Sequence, residues 1–273
     1  MGSTAEINTP IVSLLVSLAL CLNGSQQYSC AMPSPTPSPA EPTPNNTSDS
    51  LPADGQSPEQ IQPLLSSEIF GDRIKGINLL RNIDPAAAFE LIVPLCTDAN
   101  TRVRYAAVSQ VSTLGEQDKA AALTLLKTAL GDSEPDVQAA AADSLGALKL
   151  TESLGDLQAL YENTPEWLVQ MSVIACLGEM GDRNAFDLLK SALSADNSLV
   201  AVSAIGALGE LGDERAIALL LPYAKSDDWQ MRHRVAQSLG HFRQQPEALQ
   251  ALKTLSTDES ALVAETAQRV MAA

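Results

Sequence analysis

From Pro58 to the end of the chain, apolar residues recur at helical spacing in short blocks, each broken by Gly, Pro, Asp or Asn before the next begins. The blocks come in pairs. In the second block of a pair a Val or Met is followed eight residues later by another apolar residue, which keeps both on one face of a helix. The first members are Val103, Val137, Val169, Val200, Met231 and Val263, and their partners are Val111, Leu145, Leu177, Leu208, Leu239 and Met271. Successive first members are 34, 32, 31, 31 and 32 residues apart. A period in this range marks stacked supersecondary units rather than one closed globule. The phrase "LGEMGDRNAFDLL" from Leu177 returns as "LGELGDERAIALL" from Leu208 with eight identities, and each copy straddles a junction between pairs. The prediction is all-α: an α-solenoid of about seven helical hairpins over 58–84, 85–116, 117–150, 151–182, 183–213, 214–245 and 246–273. The first pair fits the phase poorly, as expected of a terminal cap.

Three further columns repeat with the period. Beside each partner sits a small residue, Ser112, Gly146, Gly178, Gly209, Gly240 or Ala272. A glycine inside a helix costs roughly 1 kcal/mol relative to Ala, so four in one column predict compensation by close helix contact. Four or five residues before the anchors stand Asp98, Asp132, Asp196, Asp227 and Asp258, expected to cap the second helices. Pro94 and Pro222 share a register nine before their anchors, where a proline bends the first helix. These residues resemble the HEAT repeat, including its acid-to-Val-Arg turn, here "DANTRVR" (98–104) and "DDWQMR" (227–232).

The amino-terminal part reads differently. "IVSLLVSLALCL" (11–22) has the length of a secretory apolar core but no cation precedes it, and "LALC" is only loosely a lipoprotein box. A start of translation at Met32 is the competing reading. Residues 32–60, rich in Pro, Ser and Thr, cannot bury enough surface to offset their ordering entropy. Residues 1–57 are thus expected to be a disordered extension preceding a solenoid over 58–273.

Composition narrows the function. Lys plus Arg number 17 against 33 Asp plus Glu, for a net charge of -16, which opposes nucleic acid as a partner. No run is long enough to span a bilayer comfortably. The chain carries no GxxxxGK[ST], no GxGxxG after a strand, no HExxH and no GxSxG. Cys21, Cys30, Cys96 and Cys176 are scattered without a CxxC pair, the pattern of reduced structural thiols. His233 and His241 fall about 12 Å apart along a helix, too far to share a metal. No catalytic residue or metal ligand is assigned.

Candidate contacts come from the repeat columns. Arg232, Arg234 and Arg243 with the two histidines make one locally basic stretch, either a ladder between repeats or an anion contact. Two residues after the anchors stand Tyr105, Ala139, Met171, Val202, His233 and Glu265, mostly apolar for a face turned from the core. That column either lines a docking groove or is buried between units. Trp167 and Trp229 share a register at helix starts, where they cover a turn or stack on a partner. The partner-binding set is Arg104, Tyr105, Trp167, Met171, Trp229, Arg232 and His233.

The stretch from Phe70 to Gly115 followed by the "LGELGD" units resembles the cyanobacterial phycobilin-lyase-type HEAT family, and within it the branch that serves phycobilisome degradation under nutrient starvation. The resemblance covers about 60–273. It implies phycobiliprotein partners such as phycocyanin or allophycocyanin subunits, transient contact with bilin rather than a resident cofactor, and a cytoplasmic or thylakoid-surface setting. It implies a non-catalytic scaffold first. A lyase-type subunit acting on bilin at a phycobiliprotein cysteine, with Arg104, Arg232 and Arg234 for the propionates, is the second reading; a general adaptor for another assembly is the third.

Overall fold

The computed structural model describes residues 57–273. The expectations for the amino-terminal extension, its apolar run, Cys21 and Cys30 lie outside these residues. Among the described residues fourteen α-helices follow one another as seven pairs. The first helices are α1 (Pro58–Leu65), α3 (Pro85–Ile92), α5 (Lys119–Ala129), α7 (Leu154–Asn163), α9 (Phe186–Ala192), α11 (Arg215–Leu220) and α13 (Pro246–Leu255). The second helices are α2 (Phe70–Leu79), α4 (Thr101–Leu114), α6 (Pro135–Ala147), α8 (Trp167–Met180), α10 (Ser198–Leu211), α12 (Trp229–Gly240) and α14 (Ala261–Ala272). The sequence period thus maps onto helical hairpins one for one.

The anchors form the core as the spacing requires. Val103, Val137, Val169, Val200 and Val263 are fully buried, as are their partners Val111, Leu145, Leu177, Leu208 and Leu239. Met231 and Met271 are partly buried against the same core. In the first pair Asp72 stands where an anchor would be, and Ile77 and Leu80 fill the core instead. Pro94 and Pro222 act where predicted. Each first helix ends just before its proline and the chain continues as a 3-10 turn, Val93–Thr97 and Leu221–Lys225, because proline cannot donate the next α-helical hydrogen bond.

Successive second helices lie directly against one another from α2 through α14, while contacts between successive first helices are sparser. The glycine column sets that spacing. A Cβ on Gly178 would meet the Ala207 Cα at 2.5 Å, and one on Gly209 would meet the Ser238 Cα at 2.7 Å. Only a residue without a side chain permits these backbone approaches. Hydroxyls stitch the same seam: Ser144 Oγ donates to the Val108 carbonyl and Ser238 Oγ to the Ile205 carbonyl, each at 2.9 Å.

The repeated phrase follows from two glycine roles. Gly178 and Gly209 allow the close approach, whereas Gly181 and Gly212, three residues on, take left-handed φ values of 72° and 66° and end α8 and α10. The aspartates that follow open the next unit, Asp182 accepting from the Asn184 N–H and Asp213 from the Arg215 N–H.

Gly178→Ala should lower stability by about 1–3 kcal/mol through overpacking, although Ala is the better helix former by roughly 1 kcal/mol. Gly155→Ala in α7, where an added Cβ meets nothing within 4 Å, should be neutral or slightly stabilising. Urea titrations of the two variants measure the contrast.

Candidate functional site

In five of the seven second helices the fourth residue reaches back over the turn that precedes it. In α4, Arg104 Nη1 donates to the Asp98 carbonyl at 2.9 Å, and in α12 Arg232 Nη1 donates to the Ser226 carbonyl at 2.7 Å. Gln138 and Gln170 make the same reach in α6 and α8, donating to the Asp132 and Thr164 carbonyls. The arginines then extend to the next unit. Arg104 Nε and Nη2 fork onto the Asp132 carboxylate at 2.7 and 2.9 Å, and Arg232 forks onto Asp258 at 2.8 and 2.9 Å. Arg73 in α2 repeats the device with Asp98. Its Nη2 donates at 2.9 Å, while its Nε lies 2.9 Å from the second oxygen without the alignment to donate.

This ladder corrects the capping expectation. Asp98, Asp132 and Asp258 accept from the backbone N–H of Asn100, Glu134 and Ser260, so they fix the turn before the helix rather than its first amides. Asn100, Asn197 and Asp228 are the residues whose side chains cap second helices. Asp196 and Asp227 stand one residue out of the ladder register. The guanidinium forks hold the Asp132 and Asp258 carboxyls below the ordinary carboxylate range.

The seven candidate contacts therefore do not converge on one site. Arg104 and Arg232 are committed to the ladder. Tyr105, Met171 and His233 occupy the fifth position of α4, α8 and α12, two units apart along the wall. Tyr105 is 38% exposed, while Met171 is partly buried against the core. His233 Nε2 pairs with Thr266 Oγ1 at 3.1 Å, and burial with the neighbouring Arg234 and Arg269 lowers its pKa. Trp167 packs partly against the core, whereas its counterpart Trp229 is 44% exposed. Trp229 and Arg232 alone share a depression, of about 410 Å³, between α12 and α14.

The wall also carries groups that sequence reasoning assigned to the junctions or passed over. Asp143 of α6 is accessible to solvent, yet protein atoms crowd it closely enough to raise its pKa to about 6. Ser172 donates to it and the Glu179 carboxylate adds repulsion. Glu179 and Glu210, ten residues past their anchors in α8 and α10, are likewise raised by burial. Arg234 lies over Gly206, whose missing side chain leaves it room, and its Nη2 is 3.9 Å from the Glu210 carboxylate. Asp143 occurs in one repeat only, so no column could reveal it.

The two thiols among the described residues are removed from chemistry. Cys96 and Cys176 are buried, and burial pushes the Cys96 pKa up to about 12 and that of Cys176 well above the ordinary range. Among the described residues no cluster of three or more His, Cys, Asp or Glu could hold a metal ion. No helix among them is long and apolar enough to cross a membrane.

A family model for HEAT repeats matches residues 122–204 and 187–272. A comparison with curated proteins finds no match. Among solved structures, the chain is similar to one from the complex of CpcE and CpcF of phycocyanin lyase from Nostoc sp. PCC7120, at 20% identity over 88% of this chain and 99% of that one, with a TM-score of 0.55. It is also similar to YibA of Escherichia coli, at 15% identity over 79% and 81% of the two chains with a TM-score of 0.57. An engineered protein matches at 19% identity over 78% and 67%, with a TM-score of 0.53. At these identities the likeness is one of fold.

Two measurements follow. Arg232→Gln removes a largely buried fork and should cost about 1.5–3 kcal/mol, seen in hydrogen exchange as faster opening of α13 and α14 with α6 to α8 unchanged. Asp143 has a folded pKa of about 6 against an ordinary 3.8, so wild type should lose stability as pH rises through that window. Asp143→Asn should raise the thermal midpoint at pH 8 and leave it unaltered at pH 4.

Proposed function

The chain belongs to the HEAT-repeat family, and from that premise we propose that it is a non-catalytic scaffold that grips phycobiliproteins and promotes phycobilisome degradation during nutrient starvation. The observation that carries this reading is the continuous wall of second helices from α4 to α12, on which Tyr105, Met171 and His233 share one register in every second unit. Such a surface spreads contact over several repeats, as protein partners require. Support for phycobiliproteins comes from the stack it shares, nearly end to end, with a chain of a phycocyanin lyase. The finer likeness to the phycobilisome degradation protein NblB rests on the stretch from Phe70 to Gly115 and the repeated junction phrase. A cytoplasmic or thylakoid-surface location goes with this role.

Arg234 favours a second reading, a lyase-type subunit that handles bilin. Of the cations available for tetrapyrrole propionates, Arg104 and Arg232 are forked onto carboxylates, while Arg234 stands on the wall with Nη1 donating to the Gln237 amide oxygen at 3.2 Å and Nη2 3.9 Å from the Glu210 carboxylate. Mixing the protein with bilin and apo-phycobiliprotein should then alter the absorbance spectrum, and an unchanged spectrum leaves the scaffold.

The immobilised chain should retain purified phycocyanin, and should retain phycobiliproteins from both light-harvesting and starved extracts. Retention no greater than that of the bare matrix overturns the scaffold reading.

A further inference from the structure

The depression between α12 and α14 has a chemistry of its own. Asp227, Trp229, Arg232, Glu259, Ser260 and Leu262 line it. Trp229 opens α12 and Leu262 lies in the first turn of α14, and they remain 44% and 47% exposed. Two large apolar side chains facing solvent on either side of a hollow are costly unless something covers them. Arg232 forms the floor, but its donors are spent on Asp258, Glu259 and the carbonyls of Ser226 and Asp227. It offers nothing to an incoming anion. Asp227 and Glu259 line the hollow and Asp258 pairs with the floor, so against one guanidinium two negative charges remain unbalanced among these four side chains. Glu259 is 86% exposed even while bridging to Arg232 at 3.1 Å.

We infer that this depression receives a lysine side chain of a protein partner. The ammonium sits against the indole face of Trp229, where the ring quadrupole attracts a cation. The Asp227 and Glu259 carboxylates pair with it, and Leu262 covers the aliphatic stem. An anion is repelled by the carboxylate excess. A plain aliphatic side chain would strip water from Asp227 and Glu259 without pairing them. The inference rests on the scaffold reading only for the partner's identity, since the lysine recognition belongs to this chain's own residues.

The chain has two tryptophans, so its two indole N–H resonances can be followed by nuclear magnetic resonance on the full-length protein. Trp229→Phe assigns them, and Trp167 serves as the internal control. Titration with acetyl-Gly-Lys-Gly-amide should move the Trp229 signal saturably and leave that of Trp167 in place. The norleucine twin of the peptide should not move it, and Asp227→Asn should weaken the lysine response by about two- to fivefold. An unmoved Trp229 signal, or an equal response to norleucine, overturns the inference. Phycocyanin retention without a lysine response removes this site and keeps the scaffold reading, whereas a lysine response without retention does the reverse.

Discussion

How near two second helices can come governs the whole stack. Each unit buries one apolar face against its own first helix, but the units join to each other along the second-helix seam, where the approach is set by residues without bulk. Gly178 over Ala207 and Gly209 over Ser238 bring backbones together at distances that a methyl group would block. Dispersion gained along so close a seam offsets the propensity lost at each glycine. Everything placed on the wall, from Tyr105 to His233, inherits its spacing from this contact.

The ion-pair ladder is the complementary fastening. It links the first unit to the second, the second to the third, and the sixth to the seventh, through Arg73–Asp98, Arg104–Asp132 and Arg232–Asp258. Between these clamps, Gln138 and Gln170 keep the reach to the preceding turn without a charge, and Ala201 has neither. The central units instead carry the glycines at 146, 178 and 209. The buried guanidinium forks lie toward the tips, and the closest backbone approaches lie between them.

Much of this was legible in the residues. Anchors eight apart, the small column and the two prolines placed the helices, because each states a local requirement of burial, approach or missing N–H. The ladder was half visible: Arg104 and Arg232 stood in one register, and so did three of the acids, but that each arginine reaches the acid of the next unit depends on the rise between units. The same reasoning brought Trp229 and Arg232 to one depression and left Trp167 elsewhere, since α8 turns its first residue toward the core. Asp143 escaped because its environment is made by α8 rather than by its own helix, and a lone acid in an alanine-rich segment announces nothing.

The distribution of carboxylates gives the two regions opposite answers to acid. Asp132 and Asp258, held low by their guanidinium forks, withdraw their support only when protons become abundant enough to claim them. Asp143, crowded beside Glu179, is relieved by protonation near neutrality. Mild acidification therefore relieves the strain beside α8 well before stronger acidification releases the forked pairs.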